Sequence, residues 1–256
     1  MKKFEKIVSL CKRRGFIYQT SEIYGGLANS YDYGPLGVEL MKNIKDLWWK
    51  NFIHKRADMV GIDSQIILHP KTWEASGHTS GFTDPLVEDK KTNVRYRADH
   101  LVEEYIEKNK LDIITEDLTT SELNKFIKEH KIKSPKGNDL SEAQDFNLLF
   151  ETELGTVEDK KTKAYLRGET AQGIFSNFKN ILDSTRQKVP FGVGTIGKSF
   201  RNEITQGQFI FRTLEFEQAE IEYFFNPKQT DWQKLFKDWQ NEMFNFVSEV
   251  LEIKKE

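Results

Sequence analysis

The stretch FRNEITQGQFIFRTLEFEQAEIEYFF, Phe200–Phe225, decides how the chain is read. It reads as two strands joined by a polar, glycine-containing turn. The second strand carries Arg212, Glu215, Glu217, Glu220 and Glu222 among aromatics. Charges are costly in a half-buried strand unless they are paired or meet a charged ligand. Residues two apart share a face of a strand. Arg212, Leu214, Phe216, Gln218 and Glu220 therefore lie on one side, and Thr213, Glu215, Glu217, Ala219 and Ile221 on the other. Arg201 and Glu203 share a face of the first strand, and antiparallel pairing brings them to Arg212 and Phe216.

Two arginines present fork-like donors suited to phosphate oxygens, and an aromatic face beside them suits a purine. The pattern points to an ATP site built without a P-loop, since neither GxxxxGK[ST] nor a Rossmann fingerprint occurs. The competing reading is a solvated sheet edge laced with surface ion pairs. The R-x-x-x-F spacing behind an F-R-x-E strand weighs for the nucleotide.

The 256 residues suffice for one large domain or one domain with a substantial insert. A hydrophobic share of 38% and an aromatic share of 12% suit a packed globule rather than a disordered chain. The net charge of −2 leaves nucleic-acid binding to a local basic patch. A single cysteine, Cys11, leaves no internal disulfide, and a reducing cytoplasm is the expected compartment. No segment is apolar enough to span a membrane. His54, His69, His78, His100 and His130 lack HExxH-type spacing, and no metal ligand set is expected. His78 reads equally as pocket lining or as a loop-stabilising histidine. The run from Cys11 to Arg14 could touch RNA phosphates but reads first as a solvated helix end.

Phe4, Ile7, Val8 and Cys11 fall at helical spacing, as do Leu40, Ile44, Leu47, Trp48 and Phe52 after Pro35. Adjacent Trp48 and Trp49 cannot face the same way, which offers one of them to a second subunit. Residues 62–68 read as a strand stopped by Pro70. Residues 71–100 read as a loop and then a hairpin turning at EDKKTN. Residues 101–133 read as helical, with a capping box at Thr119–Glu122. FNLLFETELG and KAYLRGE read as another hairpin, and an amphipathic helix closes the sequence. VEDKKT occurs at Val87–Thr92 and again at Val157–Thr162, each followed after five residues by an arginine, a small residue and an acid: Arg97-Ala98-Asp99 and Arg167-Gly168-Glu169. Similar local geometry is expected at both.

The motif SFRNEI…FRTLEF resembles motif 2 of class II aminoacyl-tRNA synthetases. The wider series YDYGPLGVELMKNIKDLWW, WEASGH, FTDPL, YRADHL, FNLLF, RGETAQGIFSNF and FEQAEIEYF resembles the dimeric glycyl-tRNA synthetase family, in family order from Gly15 to Phe225. The resemblance implies an α+β fold: an antiparallel sheet flanked by helices, with an inserted subdomain. Residues 1–100 would hold motif 1, residues 101–160 the insert, and residues 161–256 motif 2.

The resemblance also implies roles. Arg201, Glu203 and Arg212 would be catalytic. ATP, with Mg2+, would meet Arg201, Asn202, Glu203, Phe211, Arg212, Thr213, Leu214, Glu215 and Phe216, with Phe216 stacking on adenine. Glycine would meet Arg97, Glu169, Phe216, Glu217, Gln218, Ala219 and Glu220. tRNA(Gly) would be the second substrate, and the motif 1 region would build a homodimer. The family pattern has Arg at the place of Leu214 and Met at the place of Ala219. It also continues past Glu256 into motif 3 and an anticodon-binding domain, which have no match here. Residues 1–256 alone are accordingly expected to bind ATP weakly and to charge tRNA poorly. A non-catalytic module that keeps the fold, and a ligase for another small acid, remain alternative readings.

Overall fold

The computed structural model describes residues 3–115, 118–155, 161–203 and 209–254. In chain order the elements are α1 (Lys3–Arg13), β1 (Ile17–Gln19), β2 (Tyr31–Tyr33), α2 (Pro35–Trp49), β3 (Met59–Gly61), β4 (Ile67–Leu68), α3 (Pro70–Ala75), α4 (His78–Gly81), β5 (Thr83–Glu88) and β6 (Arg95–Arg97). There follow α5 (Ala98–Asn109), α6 (Thr120–Glu129), β7 (Gln144–Asn147), β8 (Glu151–Leu154), β9 (Thr162–Leu166), α7 (Ala171–Thr185), β10 (Phe191–Phe200), β11 (Glu215–Phe224) and α8 (Trp232–Asn245). Helices α2 and α3 both open on proline, whose fixed φ and missing N–H cost nothing in a first turn. The fold is mixed α+β, with mostly antiparallel sheets.

The longest ladder is the antiparallel pair β10–β11, paired from Phe191↔Phe224 to Phe200↔Glu215. β3 joins β10 in parallel, at Gly192↔Met59 to Gly194↔Gly61. One face of this sheet packs on Trp48, Phe52, Ile53 and Phe246, and the other on Ile174, Phe178 and Ile181 of α7. A sheet covered on both faces has little room. A Cβ on Gly192 would lie 2.2 Å from Met59 Sδ, and one on Gly194 would lie 2.4 Å from Ile53 Cδ1. Small residues there let the covering side chains reach the backbone.

Several expectations need adjusting. The first strand of the decisive stretch ends at Phe200 rather than starting there, so Arg201–Glu203 lie just past the ladder. The strand expected over 62–68 reduces to Ile67–Leu68. Residues 101–133 hold two helices, and Thr119 caps the second through the predicted box. Trp48 is buried, and Trp49 packs into the same cluster while donating from Nε1 to His54 Nε2 at 3.1 Å. Both indoles are therefore used within the chain, which removes the argument for an intersubunit tryptophan.

Helices α5 and α6 pack with neighbouring strands in one cluster. β5 pairs with β6 and β7, and α5 and α6 pack beside them around Val87, Leu101, Val102, Ile106, Leu123 and Ile127. This cluster reaches back to Val87 and forward to Ala143. β8 and β9 instead pair with each other and with β4. The first VEDKKT turn lies between β5 and β6, while most of the second copy falls outside the described residues.

Asp89 ties the turn after β5 to residues 134–138. It is fully buried. Its carboxylate accepts from Ser134 Oγ (2.6 Å), Asn138 Nδ2 (3.0 Å) and the backbone N–H groups of Lys91 (2.9 Å) and Thr92 (3.0 Å). Burial pushes its pKa up, but these four donors outweigh it and hold the carboxyl well below the usual carboxylate range. The stabilisation is then present above the unfolded carboxylate pKa, at about pH 4, and fades as pH falls toward the folded value. Asp89→Ala is expected to lower the thermal midpoint by several degrees at neutral pH and to flatten the acid limb of a pH series followed by circular dichroism. Asp139→Ala, which breaks only the exposed pair with Lys133, is expected to do neither.

Candidate active site

The ladder delivers the site. Beyond Phe200 the two strands stay in register for one more bond, from Arg201 N to Leu214 O at 3.0 Å. Asn202 N then turns to Leu148 O at 2.8 Å, and Phe200 N reaches Arg167 O at 2.9 Å. The end of the hairpin is thus stitched to the segments that lead into β8 and follow β9. Arg201 projects at this junction. Its guanidinium lies 5.1 Å from the centroid of Phe82 and 5.4 Å from that of Phe216, and Nε donates to Gly168 O at 3.2 Å. Two aromatic rings and one carbonyl fix a cation that has no carboxylate hydrogen bond among the described residues.

A belt of charge runs beside it. Arg212 Nε stands 4.0 Å from Glu203 Oε2. Arg97 forks onto Asp99, with Nε–Oδ1 at 3.1 Å and Nη2–Oδ2 at 2.6 Å, and its Nη1 lies 3.0 Å from Asp84 Oδ1. Hydrogen bonding to Asp99 raises the Arg97 pKa against burial, with Asp84 and Glu203 adding to the same field. Burial raises Asp84 above the usual range, more than Arg97 and Arg212 pull it down. Burial also penalises Asp99, but there the Arg97 bond wins and the pKa is lowered. Arg97 is thus already held between two carboxylates.

The other side of Gly168 is rich in acceptors. Glu169 Oε1 receives Gln172 Nε2 at 2.6 Å and lies 3.3 Å from His78 Nε2. Thr170 Oγ1 donates to Glu220 Oε2. Glu222, next along the same face of β11, has its pKa raised by burial and then by the negative charges of Glu220 and Glu169. Gln172 Oε1 and Thr195 Oγ1 are buried without a hydrogen-bond partner among the described residues. Thr195 is the register partner of Glu220. Three carboxylates and two unpaired oxygens suit a compact cation with several N–H donors.

The structure does not gather every expected residue. Glu215, Glu217 and Ala219 lie on the opposite face of β11, as strand alternation demands. Glu215 pairs with Lys198 and Glu217 with Lys45 at 2.8 Å. Ala219 lines a mostly apolar cavity of about 420 Å³ with Cys11, Leu40 and Trp48. Glu217 and Ala219 thus lie on the face of β11 opposite Glu220, and Glu215 on the face opposite Phe216. Phe211 is 79% exposed and approaches Phe4 at 6.2 Å, away from the Arg201 junction. Thr213 Oγ1 turns back onto Glu215 O at 2.8 Å, and Leu214 N donates to Asn29 O at 2.9 Å. Arg201 meets Phe216, and Glu203 lies near Arg212 and within the charge field of Arg97, with Asn202 anchored by its backbone. Gln218 accepts from Ser199 Oγ at 2.6 Å on the site face, two residues from Glu220. The turn at 204–208 lies outside the described residues. Phe82, Asp84, Thr170 and Gln172 were not singled out from the sequence. For Phe82, Asp84 and Thr170 there is no spacing signal, because their partners are not near neighbours in the chain, whereas Gln172 bonds Glu169 three residues before it.

This architecture is shared with a known synthetase. The solved structure described as the RNA-binding domain of threonyl-tRNA synthetase from Cryptosporidium parvum Iowa II superposes with a TM-score of 0.54, over 94% of this chain and 42% of that one. At 16% identity the likeness speaks for the fold alone. The fold is therefore one that a synthetase domain also adopts. Sequence narrows it further. A glycine–tRNA ligase of Caldanaerobacter subterraneus subsp. tengcongensis is 52% identical over 242 residues, covering 92% of this chain and 52% of that protein. One from Mesoplasma florum is 51% identical over 98% of this chain and 55% of its own length, and one from Acetivibrio thermocellus is 51% identical over 100% and 55%. No family model matches. The chain is a homologue of the glycine–tRNA ligases along nearly its whole length, and it spans about half the length of those relatives.

Proposed function

We propose that this chain carries the adenylate-forming face of a glycine–tRNA ligase. One glycine carboxylate oxygen attacks the α-phosphorus of ATP, delivered as its Mg2+ complex. The bond from that phosphorus to the bridging oxygen of the β-phosphate breaks, and pyrophosphate leaves. The glycyl group then passes to the 3′ end of tRNA(Gly), releasing AMP. The observation that carries this reading is the juxtaposition across Gly168 of Arg201, a cation without a carboxylate partner among the described residues, and an acceptor cluster, Glu169, Glu220 and Glu222. Arg201 offsets charge on the α-phosphate, Arg212 reaches the remaining phosphates, and Phe216 offers a ring to adenine. Glu169 and Glu220 hold the ammonium. Positioning and charge do the work, and no protein nucleophile is needed.

Glycine has no side chain to grip, so selectivity is steric. A larger amino acid would meet walls that glycine clears, and discrimination of that kind needs no second editing site. Exposed Leu36, Leu40, Ile44 and Leu47 lie along one face of α2, which supports a homodimer built through that helix. The reaction would run in the cytoplasm.

The test is glycine-dependent ATP–pyrophosphate exchange and tRNA aminoacylation by the full-length protein, with its mass measured by ultracentrifugation. Exchange with glycine but not alanine or serine is expected. Binding of glycine and ATP without exchange would instead identify a non-catalytic module, and equal exchange with alanine would overturn the glycine assignment.

A further inference from the structure

We propose that His78 is a positioning residue that fixes the Glu169 carboxylate for the ammonium group of the amino acid. The proposal rests on the reading of Glu169 given above. Glu169 lies on a loop between β9 and α7, where a glutamate would otherwise have three free torsions. One of its oxygens, Oε1, accepts from Gln172 Nε2 at 2.6 Å and lies 3.3 Å from His78 Nε2. Both nitrogens gather at Oε1, and among the described residues none is hydrogen-bonded to Oε2, the oxygen left to meet a ligand.

The hydrogen-bond chemistry sets the direction of the histidine contact. An ionised carboxylate only accepts, so the ring nitrogen facing it must carry a hydrogen. His78 Nδ1 lies 2.8 Å from Ser76 Oγ, which also donates to Trp73 O at 3.3 Å. The hydroxyl holds one edge of the ring while Nε2 faces Glu169. A buried side chain that orients a ligand-binding group in this way commonly matters nearly as much as the group itself.

The ring is built in rather than lodged by chance. Its side chain is only 12% exposed. It sits against Trp73 at 5.3 Å in an edge arrangement and against Phe82 at 4.9 Å. Its backbone carbonyl accepts from Asn147 Nδ2 at 3.1 Å. Gly77 has φ of +79°, the left-handed conformation that breaks α3 from α4 and turns His78 inward. Phe82 also lies under Arg201, so one ring supports both the histidine that holds the acid and the arginine on the nucleotide side.

The test is steady-state ATP–pyrophosphate exchange by the full-length enzyme, varying glycine and ATP separately. His78→Phe keeps the packing between Trp73 and Phe82 but cannot donate. It is expected to raise the glycine KM by about tenfold, the usual worth of a hydrogen bond to a charged group, with the ATP KM unchanged and the melting temperature preserved. His78→Gln, whose amide can donate from a similar place, is expected to recover most of that loss. Wild-type glycine KM in His78→Phe, or an equal rise in both KM values, would overturn the positioning role while leaving the ligase reading intact. Absence of glycine-dependent exchange in the wild type would remove both.

Discussion

Arg201→Ala in the full-length protein is expected to slow glycine-dependent ATP–pyrophosphate exchange by about a hundredfold to a thousandfold, the loss typical of one preorganised donor aimed at developing charge. The fold should tolerate the change. Arg201 contributes one bond to Gly168 O and two contacts with aromatic rings, together worth about 1–3 kcal/mol. Arg201→Lys separates charge from shape. A lysine restores the cation but not the planar fork, so partial recovery of exchange is expected, short of wild type. Near-normal exchange in Arg201→Ala would take this residue out of the reaction.

The second large effect is on stability. Arg167 is almost fully buried, yet among the described residues no carboxylate pairs with it. Nε donates to Lys198 O at 2.6 Å and Nη1 to Ser64 O at 2.7 Å and Ser64 Oγ at 3.2 Å. Burial lowers its pKa, with Asp63 and Glu217 acting weakly the other way. Its backbone adds bonds to Ile66 and Phe200, so one residue ties the end of β9 to β10 and to the segment between β3 and β4. A Cβ on Gly197 would lie 2.1 Å from Arg167 Nη2, so the glycine is part of the seat. Arg167→Ala strands two carbonyls and leaves a cavity, and a loss of about 3–5 kcal/mol is expected in denaturant unfolding. Arg167→Met keeps much of the volume but not the donors. It should recover only the packing share, and wild-type stability in this variant would show that the hydrogen bonds contribute nothing net.

How much of this could be read beforehand depends on the range of the signal. Alternation along β11 sorted its charges correctly. Phe216, Gln218 and Glu220 face the site, while Glu215 and Glu217 answer Lys198 and Lys45 on the other side. That resolves why a partly buried strand carries so many acids. The partner strand was less legible. Gly192, Gly194 and Gly197 erase the alternation of FGVGTIGKSF, and they are there because Met59, Ile53 and Arg167 occupy the space of their missing side chains. Only the folded chain supplies those neighbours. The same holds for Asp84 beside Arg97, and for His78 beside Glu169, which is 91 residues later in the sequence (169 − 78). The paired Arg-x-acid sequences show both the use and the limit of local reading. Each does follow a return strand, but Arg97 grips its own Asp99, whereas Arg167 grips backbone and leaves Glu169 to others.

Gly168 bears on how such a site keeps its dimensions. Its carbonyl holds Arg201, the next residue is Glu169, and its bare Cα lets Phe82 and Leu149 close to within 2.9 and 3.1 Å of where a Cβ would stand. The gap between cation and carboxylate is therefore gauged by a single peptide unit, whose geometry is covalent, and not by the slack of two loops. A fluctuation that carries one wall outward drags the other with it. The spacing between the two groups thus behaves as a fixed length in the chain, which under the proposed reading keeps two substrates without a shared anchor in line.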